Sequence, residues 1–223
     1  MNKDNKKIHI ILASKSERRK DILEREGFDF EIHVPHTEEK DIIGEKYSEK
    51  LVSECAREKA EASYKELSGC SHSSLVYEGL QHANPTVGAS YTSANKEFAP
   101  MTIIVSCDTV VVNDGVIIGK PKDRDDAKRI LKSLSGSRHR VISALCICKD
   151  NEYYIKTDTT YVKFRKLSDE EIENYIDERK PYDKAGSYGI QDEKFDFVES
   201  IEGSMDNVVG FPIETFMEML NEL

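Results

Sequence analysis

Residues 101–121 read MTIIVSCDTVVVNDGVIIGKP, and this stretch decides the fold. Ile103, Ile104, Val105, Val110, Val111 and Val112 form a nearly continuous β-branched run, the pattern of a strand covered on both faces. Asn113-Asp114-Gly115 is a hairpin signal, and Val116 to Ile118 runs back from it. Asp108 interrupts the apolar run. A buried carboxylate is costly unless it is paired, bonded to backbone amides or placed near a metal. One reading is an acid satisfied by amides at a bulge; the other is an acid held for chemistry. Gly119-Lys120-Pro121 ends the hairpin with a lysine on a stiff loop, so a cation can return toward the acid, and an anionic substrate follows.

The chain has 223 residues, enough for one large domain or two small lobes with a real core. Hydrophobic residues make up 38% and charged residues 33%, a polar globular composition. No apolar run approaches the ~20 residues that span a bilayer. The run Ile8 to Leu12 follows basic residues but is too short for a signal-peptide core, so it reads as a first strand in a cytoplasmic protein. Five cysteines without a C-x-x-C pair, and scattered histidines without a zinc-like cluster, fit that compartment. A net charge of −10 argues against long nucleic acid as a partner. It leaves room for a small anion in a local basic pocket.

Elsewhere the patterns alternate between strand and helix. Glu17 to Glu26 is helical and stops at Gly27; Phe28 to Val34 alternates as a strand; Pro35 to Gly44 is an acidic loop. Glu49 to Leu67 is an amphipathic helix with Leu51, Val52, Cys55, Ala56 and Ala60 inward. Residues 68–100, rich in Ser, Gly, Ala, His and Asn, read as a partly disordered insertion within a single domain spanning 1–223. Asp123 caps a helix from Arg124 to Leu134, and Ser168 to Glu171 is a capping box opening another. Val141 to Cys148 and Tyr153 to Phe164 are long strands around a turn. Gly186 to Gln191, Phe195 to Val198 and Asn207 to Pro212 are short strands or turns, and Ile213 to Leu223 is a final helix. The class is mixed α/β with an elongated sheet flanked by helices.

Two further stretches carry chemistry. Ser14-Lys15-Ser16-Glu17-Arg18-Arg19 places hydroxyls and arginines at a helix start, where free amides and the dipole favour anions. Taken alone, it reads first as an N-cap serine followed by solvated charges. It is not a Walker A loop, and no G-x-G-x-x-G occurs. Asp183-Lys184-Ala185-Gly186-Ser187-Tyr188-Gly189-Ile190-Gln191 brackets a lysine and a glutamine with glycines that allow close backbone approach. Gln191 offers donors and an acceptor to a base edge, or it is a surface residue of a tight turn.

Taken in order, S-x-S-x-R-R, C-D-T-V-V, G-K-P, L-S-G-x-x-H ending at His139, and D-K-A-G-x-Y-G-I-Q strongly resemble the Maf family of nucleoside triphosphate pyrophosphatases. Lys59-Ala60 and the run GSMDNVVGFP from Gly203 to Pro212 support the likeness, which covers the chain apart from the insertion. The resemblance implies two lobes around a cleft in a Maf/ITPase-like fold. It implies Asp108 as catalytic base, with Glu39 helping to bind metal or water. It implies Arg18, Thr109 and Gln191 as determinants of substrate choice, and Arg19, Lys59, Lys120 and Lys184 as phosphate ligands beside Ser14 and Ser16. This combination is similar to the branch acting on dTTP and UTP. A divalent cation, Mg²⁺ or Mn²⁺, held by Asp108 and Glu39, and a homodimer are implied with it. Glu17 stands where the family usually has proline, and Asp192 where it usually has glycine. Both add negative charge near a polyanion site. Two rivals are weighed beside this reading. An aspartyl-phosphate mechanism wants a second acid two residues after the first, but that position is Val110. The other rival is a catalytically silent nucleotide-binding regulator.

Overall fold

The computed structural model describes residues 8–37, 40, 42–69, 101–192 and 194–223. Glu39 and most of the expected insertion, residues 70–100, lie outside them. Its elements, in chain order, are β1 (Ile8–Leu12), α1 (Glu17–Arg25), β2 (Phe30–Ile32), α2 (Glu49–Gly69), β3 (Met101–Asn113), β4 (Val116–Ile118), α3 (Arg124–Leu134), β5 (Arg138–Lys149), β6 (Glu152–Phe164), α4 (Asp169–Arg179), β7 (Val198–Glu202), α5 (Met205–Val209) and α6 (Ile213–Asn221). A single 3₁₀ turn spans Ala185–Ser187.

One sheet carries all seven strands in the order β2-β1-β3-β5-β6-β7, with β4 also paired to β3. β1 runs parallel to β2 and β3, and the remaining pairings are antiparallel. The decisive feature is the edge of β3 facing away from β5. β1 pairs with its first part, from Met101 to Val105, and β4 with its last part, from Val111 to Asn113. Between them, Ser106 to Val110 have a strand neighbour on the β5 side only. After Leu12 the chain makes one more bond, Ala13 N–H to the Val105 carbonyl at 2.8 Å, and then turns away into α1. The interruption therefore lies at the carboxyl end of β1, the position where open α/β sheets hold ligands.

The side-chain pattern of β3 explains why this window is polar. On the face covered by α2, Ile104, Val110 and Val112 join a core with Val52, Cys55, Ala56 and Ala60. Ser106 and Asp108 interrupt that face, and both are satisfied by α2: Ser106 Oγ donates to the Ala56 carbonyl at 2.5 Å, and Asp108 meets Lys59. The other face carries two separate cores. Ile103, Val105 and Cys107 pack with Leu23, Phe211 and Phe216, whereas Val111 packs with Leu131, Leu134, Phe164 and Tyr175. Thr109 and its register partner Ser143 on β5 sit between those two cores and hydrogen-bond at 2.9 Å. The two lobes are these two apolar bodies, threaded by the long strands β3, β5 and β6.

Local expectations mostly hold. Asp114 and Gly115 both adopt positive φ (49° and 78°), as a type I′ hairpin requires. Asp123 accepts the Asp126 amide, and the Ser168/Glu171 capping box is formed in both directions. Several boundaries differ, among them the start of β5, which begins at Arg138, three residues before the expected Val141. α2 runs two residues past Leu67, taking in Ser68 and Gly69. Phe28 and Val34 fall outside β2, which keeps only the residues that pair with β1. Asn207 to Val209 belong to α5, not to a strand or turn, because Ser204 caps a helix there by accepting the Asn207 amide. β7 begins at Val198 and runs on to Glu202 in register with β6, which a short apolar pattern did not reveal.

Candidate active site

The window in β3 opens into a cleft of about 690 Å³, lined from both lobes. That volume lies in the range of small-molecule sites, roughly 300–1,000 Å³. Of the residues singled out in the sequence, Ser14, Ser16, Arg18, Arg19, Lys59, Asp108, Thr109, Lys120, Lys184 and Gln191 all line it. Glu39 lies outside the described residues. Because β1 and β4 leave the strand edge clear, Asp108 from one face of β3 and Thr109 from the other reach the same space.

Asp108 is held by Lys59, whose Nζ donates to Oδ1 at 2.5 Å. Both side chains are mostly buried, 18% and 16% exposed, so the pair is shielded from screening but open to the cleft. The bulge with an amide-bound acid is thereby set aside: β3 pairs with β5 through Asp108 without a shift of register.

Arg19 is fixed at three points. Its Nε donates to the Gly210 carbonyl at 2.9 Å, one terminal nitrogen to Ser14 Oγ at 3.1 Å, and the other to Thr109 Oγ1 at 3.3 Å. These acceptors are neutral, and among the described residues no carboxylate pairs with Arg19. A guanidinium has five N–H donors, so both terminal nitrogens retain one for an anion. Gly210 serves this arrangement through its φ of 122°, which aims its carbonyl at Arg19, Thr109 and the Cys107 thiol. Sequence reading assigned Thr109 to substrate choice; in the structure its hydroxyl also anchors Arg19. Ser143 and Gly210 went unnoticed there, since only the pairing of β3 with β5 and the turn after α5 bring them to Thr109.

Arg18 behaves differently. It pairs with Asp183 across the cleft at 3.0 Å, and the second oxygen of that carboxylate takes Lys184 at 2.8 Å. Partial burial works against the charged carboxyl, but the hydrogen bonds from Lys184 and Arg18 hold it below its usual range. Gly186, with φ of 74°, brings this loop against the sheet: an added Cβ would stand 2.9 Å from Val111 Cγ2. The Gly186 amide bonds the Gly119 carbonyl at 3.0 Å, tying the loop to the segment that carries Lys120. Beneath it lies a buried ring cluster in which Tyr188 hydrogen-bonds His139 Nε2 at 2.9 Å and stacks edge-on against Phe164.

The two unusual acids are both neutralised locally. Asp192 accepts the Tyr175 hydroxyl at 2.7 Å and faces Arg179 at 3.5 Å, and its own amide closes the turn on the Gly189 carbonyl. Glu17 turns outward to Lys20 at 3.5 Å and is 76% exposed. Burial pushes Cys55, which lines the cleft, up to about 11, and it raises Cys107 as well.

Comparison with known proteins meets this geometry from a separate direction. The family described as "Maf-like protein" matches residues 9–223. The chain belongs to the Maf family. Among curated relatives, a protein from Chromobacterium violaceum named "dTTP/UTP pyrophosphatase" is 38% identical over 218 residues, covering 96% of this chain and 93% of its own. A Bdellovibrio bacteriovorus protein of the same name is 36% identical, covering 96% of this chain and 97% of its own. A solved structure titled "Structure of a HAM1 protein from Coxiella burnetii" covers 97% of this chain and 100% of its own at 12% identity, with a TM-score of 0.47. The Maf assignment stands on the sequence match across the chain and not on that structural likeness. Among the described residues, no helix is long and apolar enough to cross a membrane.

Proposed function

We propose that this Maf protein hydrolyses nucleoside triphosphates of the dTTP and UTP type to the monophosphate and pyrophosphate. One observation carries the reading: the carboxylate of Asp108 shares a cleft with Arg18, Arg19, Lys59, Lys120 and Lys184, cations drawn from separate segments of the chain. The names of the relatives support the substrate class.

In this reading Asp108 takes the proton of a water whose oxygen attacks the α-phosphorus. The new P–O bond forms as the bond from that phosphorus to the bridging oxygen breaks, and pyrophosphate departs. Lys59 holds the carboxylate in position. Arg19, preset by neutral acceptors, meets the growing phosphate charge without first breaking an ion pair, which is the economy of a preorganised site. Lys120, Lys184, Ser14 and Ser16 hold the remaining phosphate oxygens. Gln191 reads the base, and Arg18 and Thr109 contribute to substrate choice.

A divalent cation fits the residues present. Among the described residues no group of three or more His, Cys, Asp or Glu side chains forms a protein cage. Mg²⁺ commonly binds through one or two carboxylates plus substrate phosphates, needing no such cage. Asp108 would supply one carboxylate and Glu39 the other. When bound, the cation neutralises phosphate charge and polarises the P–O bonds. A homodimer and a cytoplasmic setting complete the proposal; the free, buried thiols of Cys55, Cys107, Cys146 and Cys148 suit a reducing compartment.

The test is a panel of nucleoside triphosphates with Mg²⁺ or Mn²⁺, following both pyrophosphate and orthophosphate. Release of pyrophosphate with matching monophosphate is expected. Orthophosphate as the sole initial product would reject the scheme, and binding of dTTP without turnover would restore the regulatory alternative.

A further inference from the structure

One charged group to which the mechanism gives no task pairs with two of the cations it uses. Asp183 is an acid in a site built for a polyanion, yet it is engaged by both of its carboxylate oxygens: Oδ2 with Arg18 at 3.0 Å and Oδ1 with Lys184 at 2.8 Å. Its partners come from opposite walls, Arg18 from the first turn of α1 and Lys184 from the start of the 3₁₀ turn. Among the described residues no other acid lining the cleft, Glu58 included, pairs with Arg18 or Lys184. Asp108 is held by Lys59, Asp192 by Tyr175 and Arg179, and Glu17 by Lys20. Arg18 and Lys184 therefore share one carboxylate before any ligand arrives, whereas Arg19 has none.

We propose that Asp183 is a specificity-determining residue, an internal counter-ion that occupies Arg18 and Lys184 between turnovers and must be displaced by the phosphates of an incoming ligand. The inference rests on the pyrophosphatase reading of this cleft. Its consequence is an affinity threshold. An anion must gain enough from the whole cradle to evict the carboxylate, so a triphosphate spanning both walls enters while the separated products, each with fewer contacts, leave readily. Asp183 is 61% exposed and Arg18 36%, so the competition is modest and salt-sensitive. Two such pairs, each of surface strength, correspond to about a three- to tenfold effect on anion binding.

The experiment compares the wild-type protein with Asp183→Asn and Asp183→Glu, using inorganic pyrophosphate without metal as the titrant in calorimetry, and as a product inhibitor of dTTP hydrolysis. Asp183→Asn is expected to bind pyrophosphate about three- to tenfold more tightly and to be inhibited by it at correspondingly lower concentration. The gain should shrink at high salt, and Asp183→Glu should stay near wild type. In an Arg18→Gln background the same Asp183→Asn change should give a smaller gain, because one of the two pairs is already gone. Unchanged or weaker pyrophosphate binding by Asp183→Asn overturns the proposal, since a residue that merely positions the cations would weaken binding when removed. Failure of the pyrophosphatase reading is separate: it shows as wild-type protein that releases no pyrophosphate from dTTP, and the binding comparison is read without any turnover.

Discussion

Replacing Asp108 with asparagine isolates the carboxylate's chemistry from its structural part. The side chain keeps its size, and its amide oxygen can still accept the Lys59 ammonium, which stands 2.5 Å from Oδ1. β3 remains clamped by β5 on one side and by β1 and β4 at its ends, so the fold should tolerate the change. A stability change of 1 kcal/mol moves Tm by roughly 2–4 °C in a chain of this size, and a shift within that range is expected. Proton abstraction, by contrast, is lost outright. A positioned general base contributes about 10²–10⁴ in rate, or about 3–5 kcal/mol of barrier at 1.36 kcal/mol per tenfold. Nucleotide binding should persist or tighten, because a negative charge leaves a site for an anion. The assay pairs pyrophosphate release, over a thousandfold range of enzyme concentration, with calorimetric titration of dTTP. A variant within threefold of wild-type turnover would refute the role given to Asp108. Lost binding together with lost turnover would show that the acid shapes the site and does not drive the step.

Other consequences follow from the same geometry. Arg19→Lys keeps the charge but cannot reproduce the three-point attachment to Ser14, Thr109 and Gly210, and kcat/KM should fall about 10- to 100-fold, in line with the loss of a bidentate arginine contact; steady-state kinetics with dTTP decide this. Gly186→Ala forces a side chain into φ of 74° and against Val111 and Tyr188, so a loss of about 1–3 kcal/mol is expected in urea unfolding. Burial pulls the His139 imidazole down to about 4, well below the usual range near 6.5. The unfolded chain then binds this proton more readily than the native one, so the stability is complete above pH 6.5 and drains away as pH falls toward 4, by about 2 kcal/mol between pH 7 and pH 5. Urea titrations at the two pH values should show that loss, and His139→Gln should remove most of it.

The sequence made the central strand, its hairpin and the helix caps readable because each rests on local chemistry: β-branched residues, positive-φ turn residues, and side chains that cap the amides three residues on. The motif order made the membership of the cleft readable residue by residue, even though Lys59 and Asp108 stand far apart in the chain. What escaped was set by pairing. Nothing local in Val198 to Glu202 marks it as a strand, since it is defined by its register with β6. Ser143 is an unremarkable polar residue within a strand until β5 places it opposite Thr109. The harmlessness of Asp192 likewise depends on Tyr175 of α4, a neighbour in space that no spacing rule would have offered.

The gap in pairing along β3 has a wider meaning for how such a protein can diversify. Cys107 to Thr109 form a floor pinned at both ends by ladders and along one side by β5, so it resists bending and cannot absorb an inserted residue without flipping every side chain beyond it. The walls, by contrast, include turns and loop segments around Ser14, Lys120 and Lys184 that no strand ladder clamps. If Asp108 is the base, changes of nucleobase preference are to be sought first at the rim, around Gln191, with the strand that bears the acid held constant.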